Sequence, residues 1–228
     1  MTKAIIFDSS TLISFAMNGL FEEFRNLKKI FGGHFIITKE VKAEIIDRPL
    51  NIKRFELEAL KINQLLDEKV LEMPSALGVN DETISKRTAD LLREANATFT
   101  GKGKQIHLID LGEASCLALS RILDEKNVKN VIAIDERTTR MLGEKPQNLQ
   151  KLLQNKLHTT IEANKDNFKF FGEFKFIRSA ELLYIAFKND IVKVSGDDRK
   201  VLDALLYAVK FKGCSISDKE IDEIKNLA

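Results

Sequence analysis

The feature that most limits the fold of this chain is a short apolar segment, residues 4–7, that ends on Asp8 and leads into a stretch with helical periodicity. That periodicity continues to a glycine pair at residues 32–33, which is suited to ending a helix. Residues 34–38 then predict a second buried strand, and the helical stretch after it stops before Pro49. A chain that begins strand, helix, strand, helix predicts a parallel sheet with right-handed crossovers and helices on its faces.

The rest of the chain continues this alternation, with more helical residues between the strands. The patterns predict helices at residues 54–69, 81–97, 108–126, 136–158 (interrupted at Pro146), 179–188, 199–211 and 217–228, and extended segments at residues 70–74, 130–135 and 174–178. Residues 98–105 carry glycine and lysine and predict a loop. We therefore expect an α/β fold with a central parallel sheet.

The composition argues against several classes of function. The chain has 228 residues, and its 36 basic and 34 acidic residues give a net charge of +2, so any basic nucleic-acid footprint must be local. No apolar stretch approaches the ~20 residues that span a bilayer, and no signal peptide begins the chain, which predicts a cytoplasmic protein without a membrane partner. Two cysteines and three histidines without paired spacing argue against zinc chemistry and a histidine-based triad.

Acidic residues follow two of the predicted strands directly. Asp8 ends the first strand, and Asp135 and Glu136 end the strand at 130–135. Ligands of open parallel sheets bind outside the carboxyl ends of the strands, so these acids should lie near one another if their strands are neighbours. Helix capping explains the same positions without a ligand, because Asp, Ser and Thr are favoured caps.

Two helical acids complete the candidate set. Glu44 borders the apolar stripe of its helix instead of facing water, and Glu113 begins a nearly all-apolar helix face. Glu113 has an alternative role as well, because an acid in a first helical turn is stabilised by the helix dipole. Clustered carboxylates repel unless a cation holds them ionised, and oxygen ligands suit Mg²⁺ or Mn²⁺. The pattern predicts metal-dependent phosphodiester hydrolysis.

These motifs resemble the PIN-domain nucleases, the fold of the VapC-like ribonuclease toxins and their archaeal relatives. The resemblance lies in the order of IIFDSSTLI, EVKAEI, LGEASCLALS and AIDERTTR, and the closing helices are similar as well. It implies a single PIN-like three-layer α/β/α domain over residues 1–228, with helical insertions at about 63–107 and 145–172. It also implies an endoribonuclease that cleaves RNA, and family toxins typically pair with a small antitoxin protein and often form a homodimer.

The resemblance assigns roles to individual residues. It implies that Asp8, Glu44, Glu113 and a fourth acid hold Mg²⁺ or Mn²⁺, with Asp135 favoured over Glu136 because it ends the strand directly. Ser10 matches a hydroxyl position that bonds the first aspartate, and Arg137 or Arg140 could meet a phosphate. Basic side chains in the first insertion and later in the chain could line an RNA path, although a solvated helix face also explains them: Lys86, Arg87, Lys102, Lys104, Lys145, Lys151, Lys156, Lys165, Lys169 and Lys175.

Two other functions compete with this hypothesis. Glu113 stands where the family more often has aspartate, which favours a catalytically weak PIN scaffold that binds RNA or a protein partner. A haloacid-dehalogenase-like phosphatase also carries an acid after its first strand, but it needs a second acid two residues later, where this chain has Ser10.

Overall fold

A computed structural model describes residues 2–227, and its central element is a parallel sheet of four strands. The strands of the chain are β1 (Lys3–Phe7), β2 (His34–Ile36), β3 (Phe99–Gly101), β4 (Lys104–Gln105), β5 (Lys129–Ala133), β6 (Ile161–Ala163) and β7 (Phe176–Ile177). The parallel sheet has the order β2-β1-β5-β7, and every neighbouring pair runs parallel. The predicted α/β fold with a parallel sheet is confirmed.

Helices connect these strands. They are α1 (Ser9–Met17), α2 (Phe21–Phe31), α3 (Lys39–Lys42), α4 (Glu56–Asp67), α5 (Asp81–Asn96), α6 (Leu111–Glu125), α7 (Arg137–Glu144), α8 (Pro146–Leu157), α9 (Ser179–Lys188), α10 (Asp198–Phe211) and α11 (Asp218–Asn226). A π-helical turn, Ala43–Asp47, continues α3. The last predicted helix includes residue 228, which lies outside the described residues. No helix within residues 2–227 combines the length and the apolar character needed to cross a bilayer.

The helix predicted after β1 is broken into two. The helix α1 ends at Met17 and α2 begins at Phe21, and between them Gly19 has a φ of +70°. A residue in this left-handed conformation interrupts a helix, and glycine adopts it without the steric cost of a Cβ atom. The break lets α1 and α2 pack separately: Phe24 of α2 lies 5.0 Å from Phe7 of β1 and 5.2 Å from Phe35 of β2, centroid to centroid.

The predicted loop at residues 98–105 is a β-hairpin in a second sheet. Strand β3 pairs antiparallel with β4 and with β6, in the order β4-β3-β6. The turn between β3 and β4 has positive φ at Lys102 and Gly103, as hairpin turns that match the strand twist require. The sequence pattern missed this sheet because β6, which makes the longest pairing, comes from the other predicted insertion. The second sheet therefore joins residues 99–105 to residues 161–163.

Candidate functional site

The two strand-end acids lie at the same edge of the parallel sheet. Strands β1 and β5 are neighbours with Phe7 opposite Ala133, and the Asp8 amide donates to the Ala133 carbonyl oxygen at 2.9 Å. Residues 135 and 136 leave the sheet beside Asp8. The sequence argument required these two strands to be neighbours, and they are.

Asp8 caps helix α1, but capping accounts for only one of its two carboxylate oxygens. Its Oδ2 accepts the Ser10 amide at 3.0 Å and the Ser10 hydroxyl at 2.5 Å, which holds the start of α1. The residue is only 1% exposed, and its Oδ1 has no hydrogen-bond partner among residues 2–227. A buried carboxylate oxygen without a partner costs free energy, so capping accounts for one oxygen of Asp8 and leaves the other unexplained.

Glu44 lies on the π-helical turn Ala43–Asp47, and its carboxylate touches the start of α6. A Cβ atom added to Gly112 would lie 2.7 Å from Glu44 Oε2 and 2.8 Å from Oε1. Single π-helical turns inside helices are frequent at functional sites, because they redirect a side chain that a regular helix would aim elsewhere. Here the glycine makes room for the carboxylate in the first turn of α6.

Glu113 lies in that same turn. Its Oε2 accepts the backbone amide of Asp110 at 2.8 Å, so it caps α6 as the capping interpretation predicted. Burial, together with the negative charges of Asp8 and Glu136, raises the pKa of Glu113 to about 8. A purely capping glutamate at an exposed helix end would show neither effect. Glu113 is thus close to both strand-end segments.

The electrostatics of Asp8 and Cys116 bring Glu44 into the same group. Burial raises the pKa of Asp8 to about 6, the charge of Glu44 adds to the increase, and the Ser10 hydrogen bonds oppose it. In α6, the thiol of Cys116 is buried and lies 3.7 Å from the Phe7 carbonyl oxygen. Burial raises its pKa, and so do the charges of Asp8, Glu113 and Glu44. We call Asp8, Glu44, Glu113 and Glu136 the acid group.

Asp135 faces away from the acid group. It is fully buried, and it accepts the Ser14 hydroxyl at 2.6 Å, the Ser179 amide at 2.8 Å and the Ser179 hydroxyl at 2.7 Å. Glu136 caps α7 instead by accepting the Thr139 amide at 2.8 Å. Consecutive side chains of an extended chain point to opposite sides, so only one of the two can face Glu113. The sequence favoured Asp135, whereas the structure brings Glu136 to the other acids.

The predicted supporting residues differ in their surroundings. Ser10 bonds Asp8 as expected, and its hydroxyl oxygen also accepts the Asp135 amide at 3.0 Å. Arg137 is exposed at the start of α7. Arg140 lies one turn later, where it donates to the Ser215 carbonyl oxygen at 3.1 Å and burial lowers its pKa. Arg140 is therefore held by the C-terminal part of the chain.

Two threonines and a glycine were missed by the sequence reasoning. The hydroxyls of Thr11 and Thr139 are buried without a hydrogen-bond partner in the described part of the chain. Each threonine comes three residues after a strand-end acid, in DSST and ERTT, and this repeated spacing was a signal that could have identified them. The third, Gly112, makes room for Glu44. A buried hydroxyl without a partner costs free energy, as the unpaired Asp8 Oδ1 does.

The acid group is not a preassembled metal centre. Across residues 2–227, no three histidine, cysteine, aspartate or glutamate side chains are arranged so that they could hold a metal ion. Like charges repel without a counter-ion, and the glutamate side chains have the freedom to separate. The oxygen-only donors and the unpaired Asp8 Oδ1 still fit a hard cation in chemistry.

We expect the free energy of unfolding, measured without divalent cations, to fall as the pH rises from about 4 to about 8. The pKa of Asp8 rises from 3.8 to about 6 on folding, and that of Glu113 from 4.5 to about 8. Because the folded chain binds these protons more tightly, their contribution is complete below the unfolded pKa values and is lost through the folded ones. Asp8→Asn should raise stability at pH 8 by about 2–3 kcal/mol and flatten the profile between pH 4 and 6.

Urea denaturation followed by far-UV circular dichroism measures this profile in a chain without tryptophan. The matched control is Asp110→Asn, which removes an exposed carboxyl three residues before Glu113 and should keep the wild-type profile. If the stability of Asp8→Asn falls with pH as steeply as that of the wild type, burial does not raise the pKa of Asp8 and the prediction is wrong.

Comparisons with known proteins add no assignment. No protein-family model matches the chain, and neither the curated proteins nor the solved structures give a significant match.

Proposed function

We propose that this protein is a metal-dependent endoribonuclease whose acid group, Asp8, Glu44, Glu113 and Glu136, holds Mg²⁺ or Mn²⁺. The observation that carries the proposal is the Asp8 carboxylate, which is buried with one oxygen unpaired while the charges of other acids act on it. Bringing several carboxylates together during folding costs free energy. Functional sites commonly keep such unfavourable arrangements, whereas an exposed helix cap has no such cost. A cation removes that cost.

The donor set selects the class of cation. Every member of the acid group offers carboxylate oxygens, which suit small hard ions such as Mg²⁺ and Mn²⁺. The nearest thiol, Cys116, is fully buried with a raised pKa, which disfavours the thiolate that zinc or copper would require. When bound, one or two such ions activate water and stabilise charge for in-line displacement at phosphorus.

The residues of this chain hold the acids in place for that chemistry. In Asp8, Glu113 and Glu136, one carboxylate oxygen accepts a backbone amide at the start of α1, α6 or α7. These bonds fix the side chains while the positive ends of the helix dipoles favour their ionised forms. The hydroxyls of Thr11 and Thr139 are donors without partners in the described structure, and they are suited to orient water beside the acids.

RNA as the substrate, a toxin-type role, a protein antitoxin and a homodimer rest on the resemblance of the four motifs to PIN-domain nucleases. Phosphodiester chemistry itself rests on the acid group. The two parts of the proposal separate experimentally, because a small diester substrate tests the chemistry and an RNA substrate tests the substrate class.

A noncatalytic binding scaffold is the second candidate. One observation favours it: no group of three metal-ligating side chains is preassembled within residues 2–227. Calorimetric titration with Mn²⁺ separates the two candidates. Binding that Asp8→Asn abolishes supports the enzyme, and the absence of Mn²⁺ binding favours the scaffold.

We expect purified protein to cleave mixed RNA in Mn²⁺ or Mg²⁺, and EDTA to stop the reaction. Asp8→Asn should lower the cleavage rate by roughly 100-fold or more, since the most constrained acid then loses its charge. Asp110→Asn is the matched control, because its carboxyl is exposed and it should retain wild-type activity. Cleavage that persists in EDTA, or in Asp8→Asn, would refute the mechanism.

Gly112→Ala tests Glu44 without removing any acid. The added methyl would lie 2.7 Å from Glu44 Oε2 and must displace that flexible side chain, while alanine is the better helix former. We expect unfolding free energy within about 1 kcal/mol of the wild type and weaker Mn²⁺ binding by calorimetry. Unchanged Mn²⁺ affinity would remove Glu44 from the proposed ligands.

Glu136→Gln and Asp135→Asn distinguish the two candidates for the fourth acid. Glu136→Gln should weaken Mn²⁺ binding and leave unfolding nearly unchanged. Asp135→Asn should lower the unfolding free energy by about 1–3 kcal/mol, because the charge that accepts three buried hydrogen bonds is lost. The opposite pattern would restore Asp135 as the ligand.

A further inference from the structure

Two segments outside the acid group carry a concentrated positive charge. Residues 98–109 and 145–160 contain five lysines and no aspartate or glutamate, although basic and acidic residues nearly balance over the whole chain. The five are Lys102, Lys104, Lys145, Lys151 and Lys156, and all are exposed. A solvated helix face usually mixes both signs of charge, so this segregation calls for an explanation.

The second sheet joins the ends of these two segments. Strand β3 is antiparallel to β6 with Gly101 opposite Ile161, so the hairpin turn at residues 102–103 lies beside the residues that precede β6. A Cβ atom on Gly101 would meet the Thr159 side chain at 3.7 Å. This places Lys102 and Lys104 at the same end of the sheet as Lys156, in the last turn of α8. We call these three lysines the basic tip.

The lysines of the basic tip are available to bind an anion. Its three lysines form no ion pair within residues 2–227. Lys145 and Lys151 are likewise without an ion pair in that part of the chain, whereas Arg87 of α5 makes a two-pronged pair with Glu125 at 2.5 and 2.8 Å. Three ammonium groups without an ion pair, on the hairpin turn, the start of β4 and the end of α8, suit a chain of phosphates better than a single carboxylate.

The chain itself connects the basic tip to the acid group. From Lys104, residues 106–110 lead directly to α6, whose first turn carries Glu113. Glu113 lies nine positions after Lys104, so their Cα atoms are at most about 32 Å apart. Single-strand sites commonly cover ~4–16 nucleotides, so one strand can occupy both places.

We propose that the basic tip binds the phosphodiester backbone of single-stranded RNA and holds it for the acid group, an inference that rests on the proposed nuclease function. Asp8 is only 1% exposed, so a flexible single strand fits this proposal better than a rigid base-paired duplex. Residues 100–105 and 151–160 include no phenylalanine, tyrosine or tryptophan for base stacking. Binding is therefore electrostatic and independent of sequence.

The test measures RNA binding in EDTA, where cleavage does not occur. Fluorescence anisotropy of a labelled oligouridylate is recorded over a KCl series for the wild type and for a triple Lys102→Ala, Lys104→Ala, Lys156→Ala variant. With single strands each phosphate contact adds ~0.7 to the salt slope, so the triple variant should lower the slope by about 2 and weaken binding roughly tenfold at low salt.

The matched control changes the same charge at the opposite edge of the parallel sheet. Lys29 lies in the last turn of α2, Lys126 follows α6, and Lys129 begins β5, far from the strand ends that carry the acids. The triple alanine variant of these exposed lysines should bind oligouridylate like the wild type. Equal loss in both triple variants would overturn the proposal, because it would show only an effect of net charge.

Three further readouts separate the possible failures. Hydrolysis of bis(p-nitrophenyl) phosphate with Mn²⁺ should survive in the basic-tip variant and vanish in Asp8→Asn; if the wild type does not hydrolyse it, the nuclease proposal fails while RNA binding still supports the tip. Binding of duplex RNA or of phosphatidylserine vesicles as tight as that of oligouridylate would overturn the choice of single-stranded RNA. A basic-tip variant with wild-type salt slope would overturn the site.

Discussion

The parallel pairing of β1 with β5 is the interaction on which the rest of the structure depends. Its register sets Phe7 opposite Ala133, and the Asp8 amide extends the ladder by one bond to the Ala133 carbonyl oxygen. Both strands consequently deliver acids to one edge of the sheet. The Ser10 hydroxyl bonds both segments, since it donates to Asp8 and accepts from the Asp135 amide. A different strand order would leave these acids apart.

The same edge shows how burial and charge oppose one another. Helix N-termini stabilise Asp8, Glu113 and Glu136 by one hydrogen bond each, but burial raises the pKa of Asp8 to about 6 and that of Glu113 to about 8. Local capping rules favour acids at helix starts, but the rule that a buried charge is paired with an opposite one is violated here. Violations of such rules concentrate at functional sites, where the surrounding fold tolerates the cost.

The C-terminal part of the chain supports this edge from the other side. The Asp135 carboxylate holds the start of α9 through Ser179, and the Ser215 amide donates to the Asp135 carbonyl oxygen at 3.1 Å. Arg178 donates to the Ser215 carbonyl oxygen at 3.0 Å and to Glu220 of α11 at 2.7 Å. Asp135, which the sequence favoured as a metal ligand, thus connects the end of β5 to the C-terminal helices through buried hydrogen bonds. Its neighbour Glu136 is left free to face the acids.

The sequence by itself determined the parallel α/β fold and the candidate acids, because strand and helix periodicities are local and acids after apolar segments are visible in the chain. It did not determine the break at Gly19, the second sheet, or the choice between Asp135 and Glu136. These features depend on contacts between distant segments. Strand β3 pairs with β6, and Asp135 accepts hydrogen bonds from Ser14 and Ser179. In the same way, the Glu44 carboxylate lies in the space beside Gly112. Periodicity shows which face of an element is buried, but only tertiary structure decides what that face meets.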